Sequence, residues 1–311
     1  MELVRGLYNL RARHRGCVLT IGAFDGIHRG HQEMIRLVRE QAGRAGVPSA
    51  LMSFEPMPRE FFAKDDPPAR LTRFREKVDA LRSYGIERFI CARFDEQLRS
   101  MEPERFVQQV LVAGLGVRHL VVGHDFKFGR SLRGNVDTLH AIGPRCGFDV
   151  TEVPAFKLEG ERVSSSQVRA ALGKGDLAHA AELLGRPYRM TGKVVHGGKL
   201  GRSLGFATAN LRLHRRVTPL AGVFAVRASG DGLNGAPAVA SLGTRPTIDG
   251  RELLLEVHVF DFDGELYRRY LHVDFIARLR EERRFPTLQA LAEQMREDAA
   301  QARRILEAVS G

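Results

Sequence analysis

Short apolar runs alternate with longer amphipathic segments through the first half of the chain, and this alternation restricts the fold more than any other feature. The apolar runs predict strands at residues 18–21, 50–54, 89–92, 120–123 and 150–153. The amphipathic segments predict helices near residues 32–45, 72–84, 103–115 and 136–146. Such alternation is typical of a doubly wound parallel α/β sheet, which binds ligands at the carboxyl ends of its strands.

The pattern changes after about Gly185, where residues 185–188 form a predicted linker. Further strands are predicted at residues 190–195, 223–228, 238–242, 253–260 and 271–276. Residues 287–309 predict a terminal helix with Thr287 as its N-cap. We therefore expect two domains, an α/β domain over residues 1–184 and an all-β barrel closed by a helix over residues 189–311.

Composition argues against several classes of protein. The sequence contains no stretch near the roughly twenty uninterrupted apolar residues that a membrane span needs. Residues 1–16 lack the apolar core of a secretory signal. Three isolated cysteines, Cys17, Cys91 and Cys146, predict free thiols in a reducing cytoplasm.

The net charge of +11 leaves nucleic-acid binding open as an alternative. Residues 1–184 carry 28 basic and 23 acidic side chains, and the remainder carries 20 and 14, so the excess is +5 and +6. A non-catalytic RNA-binding protein would show a basic stripe with interleaved aromatic residues, and the sequence has none. An evenly spread charge suits anionic small substrates, and we expect no nucleic-acid or membrane partner.

Two histidines, His28 and His31, follow the first predicted strand in the string TIGAFDGIHRGHQEM, residues 20–34. Gly30 lacks a Cβ and would let a phosphate approach the backbone, while the N–H groups of the next helix favour anions. Half of a metal site and a pair of solvated histidines are the alternatives. The pattern favours phosphate chemistry.

Three further segments carry polar or aromatic groups. Residues 123–135 combine Phe128 and Asn135, which predict a flavin and nucleotide contact or ordinary strand packing. Residues 163–172 place serines and Arg169 at a helix start, which suits a polyphosphate clamp or plain capping. Residues 54–62 supply Phe62 as another aromatic wall.

The string GxFDGxHxGH resembles the first signature of nucleotidylyltransferases and, in this form, of bacterial FAD synthetases. The resemblance extends over nearly the whole first half and implies adenylyl transfer from ATP to FMN, with pyrophosphate as the leaving group. It implies catalytic roles for His28 and His31 and flavin contacts for Phe62 and Phe128. It implies ATP binding by Gly22, Phe24, Asp25, His28, His31, Asn135, Ser164, Ser165 and Arg169.

A glycine-rich string, GKVVHGGKLGRSLGFATANLRL, opens the second half at residues 192–213. It predicts a phosphate cradle with Lys193, Lys199 or Arg202, or else a flexible hairpin loop. Thr208 and Asn210 alternate along the strand and could both present oxygen to one Mg²⁺ ion. Glu256 lies on a half-buried predicted strand, where a carboxylate is either a catalytic base or part of an ion pair.

These segments resemble the riboflavin kinase family, with Ala207 and Arg268 in place of its usual proline and glycine. The resemblance implies that Glu256 is the general base, that Thr208 and Asn210 bind Mg²⁺, and that Arg280 and Phe285 contact flavin. It implies ATP binding by Gly192, Lys193, Gly198, Lys199, Gly201, Arg202, Gly205, Thr208 and Asn210.

The chain as a whole resembles the bifunctional bacterial riboflavin kinase/FAD synthetase family. The resemblance implies two steps, phosphorylation of riboflavin by ATP to FMN and adenylylation of FMN by ATP to FAD. ATP, riboflavin and FMN are then the small-molecule substrates, and a homo-oligomer is an open expectation. An alternative within the same class is that only one of the two modules is active.

Overall fold

A computed structural model describes residues 1–63, 65–196, 206–215, 217–247 and 250–309. The described residues form two compact units. The first unit contains Met1–Pro68 and Thr72–Ser164, and the second contains Ala69–Leu71 together with the described residues from Ser165 onward. The chain therefore leaves the first unit for three residues before it returns.

Six parallel strands form the sheet of the first unit. They are β1 (Glu2–Arg5), β2 (Cys17–Ile21), β3 (Ser49–Glu55), β4 (Arg88–Arg93), β5 (Val117–Gly123) and β6 (Asp149–Val153). Their order in the sheet is β1-β4-β3-β2-β5-β6. From β2 the chain adds β3 and β4 on one side, and it then adds β5 and β6 on the other side of β2. The switch point between β2 and β5 is where a doubly wound sheet opens a ligand crevice.

Helices cover both faces of this sheet. As a result, alternate strand residues pack into two different apolar clusters. Leu19 and Ile90 pack in one cluster, whereas Val18 and Phe89 pack in the other. The helices are α1 (Arg29–Ala45), α2 (Pro58–Phe62), α3 (Phe74–Ser83), α4 (Glu96–Arg99), α5 (Pro103–Phe106, continued by a π-helical segment, Val107–Gly114) and α6 (Val136–Cys146). A short antiparallel pair, β7 (Lys157–Leu158) and β8 (Glu161–Arg162), completes the unit.

The second unit is a closed barrel of six antiparallel strands in the order β10-β13-β12-β11-β14-β9. Its elements are α7 (Ser165–Lys174), α8 (Leu177–Leu184), β9 (Tyr188–Val195), β10 (Ala209–Arg212), β11 (Gly222–Gly230), β12 (Leu233–Thr247), β13 (Gly250–Val259), β14 (Tyr270–Arg280) and α9 (Leu288–Ala308). Residues 253, 255, 257 and 259 of β13 are buried and alternate with half-buried positions, which is the pattern of a strand with one face toward a barrel core.

The C-terminal helix packs its apolar face against the barrel, where Ala302 and Leu306 join Ala225 and Phe260. The Thr287 side chain accepts a hydrogen bond from the Ala290 N–H and caps this helix, as predicted. No helix in the described part of the chain is both long and apolar enough to cross a bilayer.

The predicted fold, a doubly wound parallel sheet followed by a barrel closed by a helix, is confirmed. Sequence reasoning omitted the strands β1 and β10, which have only four residues each. The compact units divide at Ser164 and Ser165, whereas the predicted domain boundary is residue 184. The difference arises because α8 packs against β9 and β14, although the glycine and proline that suggest a linker come after it.

Candidate active sites

The turn after β2 places two residues in the left-handed backbone region, Phe24 with φ 47° and Ile27 with φ 46°. Both side chains are buried, so apolar burial holds this unusual turn in place. The turn delivers His28 to the N-cap of α1, where its Nδ1 accepts a hydrogen bond from the His31 N–H at 3.4 Å. Helix α1 therefore begins at Arg29, three residues before its predicted start.

The imidazole rings of His28 and His31 stack with centroids 3.7 Å apart and an interplanar angle of 19°. A Cβ on Gly30 would lie 3.3 Å from the His28 ring and from Phe156, and a Cβ on Gly22 would lie 3.1 Å from the Phe24 ring. Glycine at these positions thus leaves room for the rings. Gly30 therefore has a packing role, and the close approach of a phosphate at this position stays a prediction.

Burial lowers the pKa of His28 to about 4, even though the Asp25 carboxylate acts in the opposite direction. Burial also holds the pKa of His31 well below its usual range, and the charge of Lys77 adds to this effect. Both rings are therefore neutral near pH 7. Since His28 Nδ1 accepts a hydrogen bond, its proton is on Nε2, which can donate to a phosphate oxygen.

Two residues that sequence reasoning missed hold this turn. Thr72 donates to Asp25 Oδ1 from its backbone N–H at 2.8 Å and from its hydroxyl at 3.1 Å. Lys77 donates from Nζ to the Ala23 carbonyl at 2.6 Å and to Ser53 Oγ at 3.0 Å. Positions 74, 77, 78 and 81 lie on one face of a helix, and all but position 77 are apolar. A lysine on this otherwise apolar face is the sequence signal that could have identified Lys77.

The two phenylalanines predicted to contact flavin differ in burial. Phe128 is only 7% exposed and packs against Phe106 and Phe126 at centroid distances of 5.6 Å, within the core. Phe62 is 62% exposed, on α2, with its ring edge toward Phe94. Phe62 is therefore accessible to a flavin ring. Phe128 instead has the position that ordinary core packing predicts.

The remaining predicted nucleotide contacts in this half are at helix starts. Asn135 is the N-cap of α6, and its Oδ1 accepts hydrogen bonds from the Thr138 N–H and hydroxyl at 2.9 Å. Ser164 ends the first unit, whereas Ser165 opens α7 in the second. Arg169 on α7 donates from Nε to the Ala69 carbonyl at 2.6 Å. The contacts of Asn135 and Arg169 give these two residues structural roles, and ATP binding stays a prediction for all four residues.

In the barrel unit, Asn210 of β10 is paired directly with Glu256 of β13. Asn210 is buried, and its Oδ1 has no hydrogen-bond partner among the described residues. Thr208 precedes it by two residues, just before β10, and both residues line the same cavity. Ala207 stands where the riboflavin kinase signature has a proline. Its carbonyl accepts a hydrogen bond from His258 Nδ1 at 2.9 Å, and this bond holds the backbone at that position.

A cavity of about 420 Å³ opens beside Thr208 and Asn210, and the described residues that line it do not include Glu256. Its wall includes Thr208, Asn210, Val257, Val259, Glu265 and Tyr267. An amide oxygen without a partner, on a residue that lines the same cavity as a threonine, fits a hard cation such as Mg²⁺, which prefers oxygen ligands. The described residues contain no cluster of three or more histidine, cysteine or carboxylate side chains suited to a metal.

Only part of the predicted phosphate cradle can be placed. Gly198, Lys199, Gly201, Arg202 and Gly205 are outside the residues that the structure describes. Gly192 is buried in β9, where a Cβ would come within 2.8 Å of the Leu211 Cβ, so glycine permits close approach of β9 and β10. Lys193 is exposed on the same strand.

The predicted flavin contacts near the C-terminus have protein partners. Arg280 donates to Asp298 of α9 from Nε at 2.9 Å and from Nη2 at 2.7 Å. Its guanidinium also lies 5.5 Å from the centroid of the half-buried Phe285 ring. Arg268 keeps a left-handed backbone with φ 66°, the geometry for which glycine is the usual residue.

Sequence comparison agrees with this two-part architecture. A model of the FAD synthetase family matches residues 10–167, and a model of the riboflavin kinase family matches residues 184–306. The bifunctional riboflavin kinase/FMN adenylyltransferase of Pseudomonas fluorescens is 50% identical over 304 residues, 97% of each chain. The protein of the same name from Haemophilus influenzae is 44% identical over 306 residues, 97% of this chain and 98% of the relative.

One solved structure has the same arrangement over nearly its whole length. It is described as a macrolide-efflux protein from Streptococcus pneumoniae, is 28% identical, and aligns with a TM-score of 0.83 over 97% of this chain and 99% of its own. The chain belongs to the bifunctional riboflavin kinase/FMN adenylyltransferase family. The predicted family and the predicted pair of transferase activities are confirmed, and the RNA-binding alternative is not favoured.

Proposed function

We propose that each unit provides its own ATP site, and that the barrel makes the FMN which the α/β unit converts to FAD. The observation that carries this proposal is that each unit holds a separate set of polar side chains at its predicted site. His28 and His31 stack in the first unit, and Asn210 and Glu256 are paired in the second. The functional domains would be residues 1–184 and 189–311, joined by the linker 185–188.

In the barrel, Glu256 would accept the proton of the ribityl 5′-hydroxyl as its oxygen attacks the γ-phosphorus of ATP, and ADP would leave. A hydroxyl nucleophile benefits from a base by roughly 10²- to 10⁴-fold in rate. The pairing of Glu256 with Asn210 supports this role, because the base would stand beside the predicted metal ligands.

Thr208 and Asn210 would hold Mg²⁺ through oxygen atoms. When bound, the ion would neutralise charge on the ATP phosphates. The buried Oδ1 of Asn210 supports this assignment, because a polar atom buried without a partner is costly unless a ligand completes it.

In the α/β unit, a phosphate oxygen of FMN would attack the α-phosphorus of ATP in line, and pyrophosphate would leave. FMN is already ionised, so this step needs no strong base, and positioning with charge stabilisation would dominate. Neutral His28 and His31 would donate hydrogen bonds to phosphate oxygens next to the N–H groups of α1. Their lowered pKa values support this role, since neutral rings donate without a change in protonation.

Two assays of the purified chain test the proposal, riboflavin with ATP and FMN with ATP, each with MgCl₂ or EDTA and followed by chromatography. We expect FMN and then FAD from riboflavin, and no product with EDTA. His28→Ala should lose FAD formation and keep riboflavin phosphorylation, whereas Glu256→Gln should do the reverse. Glu281→Gln, which changes an exposed carboxylate of the same unit, is the matched control. Equal loss of both activities in either variant would contradict separate sites.

We also infer a cytoplasmic location, which the three free cysteines support, since an oxidising compartment would favour their pairing. A homo-oligomer remains a prediction.

A further inference from the structure

Residues 69–72, which we call the anchor segment, cross from the second unit to the first at the peptide bond between Leu71 and Thr72, one of three such crossings in the chain. Ala69–Leu71 belongs to the second unit, and Thr72 belongs to the first. Every hydrogen bond described below joins groups of one unit. The segment is followed by α3, which carries Lys77.

Thr72 makes hydrogen bonds with two residues, Asp25 and Gly26, of the turn that precedes His28. Besides its two hydrogen bonds to Asp25 Oδ1, its Oγ1 accepts a hydrogen bond from the Gly26 N–H at 3.0 Å. A hydroxyl can donate and accept at once, so one side chain satisfies two partners. Thr72 is 5% exposed and Asp25 is 2% exposed, so water competes little for these bonds.

The other end of the segment is held by three side chains of the second unit, which donate to three successive carbonyls. Arg169 Nε donates to Ala69, as described above. Arg215 donates to Arg70 from Nη1, and to Leu71 from Nη2 at 3.4 Å. Tyr188 donates from its hydroxyl to the Leu71 carbonyl at 3.2 Å. Tyr188 and Leu71 are buried, where a carbonyl without a donor is costly.

One peptide group joins the two sets of contacts. The Leu71 carbonyl accepts from Tyr188 and Arg215, and the N–H of that same peptide group, on Thr72, donates to Asp25. A peptide group is planar and rotates as a unit. Any rotation that weakens the carbonyl contacts therefore also turns the N–H away from Asp25.

We propose that Thr72 is a positioning residue for adenylyl transfer, and that Tyr188 and Arg215 act on that reaction through the peptide group between Leu71 and Thr72. This inference rests on the proposed function of His28. It makes FMN adenylylation depend on two side chains of the riboflavin kinase unit that do not contact the reacting atoms. The riboflavin phosphorylation step has no such dependence on Thr72.

Thr72→Val and Thr72→Ser test the first part in the full-length protein, with FMN and ATP as substrates. Valine keeps the shape and loses the hydroxyl, whereas serine keeps it. We expect Thr72→Val to lower kcat for adenylylation by roughly 10- to 100-fold, the range for misplaced reacting groups, and Thr72→Ser to restore most of it. Riboflavin phosphorylation by the same preparations should be unchanged. Failure of serine to restore the rate, or a full rate with valine, would overturn the role.

Tyr188→Phe tests the second part, because it removes one hydroxyl from the barrel unit. We expect slower adenylylation with unchanged riboflavin phosphorylation, and faster hydrogen exchange in the peptide that contains the Gly26 N–H. Tyr8→Phe, which removes an exposed hydroxyl, is the control. Unchanged adenylylation and exchange, or equal loss of both activities, would overturn the coupling. Absence of adenylylation in the unaltered protein would instead reject the proposed function itself.

Discussion

Asn210 on β10 is paired directly with Glu256 on β13, so an amide and a carboxylate share one face of adjacent antiparallel strands. Residues paired in this way have Cβ atoms roughly 4.5–5.5 Å apart. The two residues are 46 positions apart in the sequence, and only the barrel register brings them together. In their proposed roles of metal ligand and base, the two side chains would serve the two ends of one phosphoryl transfer.

Asn210→Ala should raise the Mg²⁺ concentration needed for half-maximal riboflavin phosphorylation by roughly 10-fold or more, the usual cost of perturbing a metal site. Asn210→Asp keeps an oxygen ligand and should stay near the unaltered requirement. A Mg²⁺ titration of each activity measures this. A shift in the adenylylation titration of the same variants would contradict the assignment, because that reaction belongs to the other unit.

Stability should depend on pH through His28. Its pKa is about 4 in the folded protein against a usual value near 6.5, so above pH 6.5 the ring is neutral in both states and contributes no pH dependence. Between pH 6.5 and pH 4 only the unfolded chain takes up the proton, and the free energy of unfolding falls by about 3 kcal/mol as pH drops.

Urea unfolding of the unaltered protein and of His28→Gln at pH 7, 5.5 and 4.5 checks this expectation. The glutamine variant should lose less stability than the unaltered protein as the pH falls. Parallel pH profiles for the two proteins would show that the burial of His28 does not control its protonation.

The two phenylalanines predicted to contact flavin should respond differently to truncation. Phe128→Ala should destabilise the protein by about 3–5 kcal/mol, because it empties a core position. Phe62→Ala should leave the unfolding midpoint almost unchanged, since the side chain is mostly exposed, and should raise the KM for FMN. Thermal unfolding and steady-state kinetics separate these effects, and an unaltered KM in Phe62→Ala would remove its flavin role.

The sheet and the position of the histidines could be predicted because the local sequence signals agree with the fold. The alternation of strands and helices predicted the sheet, and the motif after β2 predicted two histidines beside the start of a helix, since both depend on neighbouring residues. Contacts between distant segments could not be predicted. Thr72 and Lys77 are found only when α3 is placed beside the turn after β2, and no spacing rule joins positions 25 and 72.

The domain boundary shows the same limit. Gly185 marks the end of α8 because it adopts a left-handed C-cap with φ 69°, which is a local feature. The unit to which α7 and α8 belong is decided by the packing of α8 on β9 and β14, which is not local, and by the contact of α7 with α8. Glycine and proline therefore mark the end of α8 locally, whereas the division into compact units precedes α7, and residue 184 stays the predicted domain boundary.

The ion pair between Arg280 and Asp298 should contribute to stability, since Asp298 is buried and accepts two donors of one guanidinium. Arg280→Met and Asp298→Asn should each destabilise the protein by about 3 kcal/mol, and the double variant should be no worse than either single variant. Additive losses would contradict a shared interaction. A riboflavin KM raised in Arg280→Met alone would identify a flavin contact in addition.

Arg268→Gly should stabilise the barrel unit. An L-residue at φ 66° carries a backbone cost of about 1–3 kcal/mol that glycine does not have, whereas glycine loses about 0.5–1 kcal/mol of conformational entropy on folding. The difference favours glycine and should raise the thermal midpoint by a few degrees. Arg268→Ala removes the same charge but keeps the backbone cost, so it should give no such gain. Equal stabilisation by alanine would show that charge, and not the left-handed backbone, limits stability at this turn.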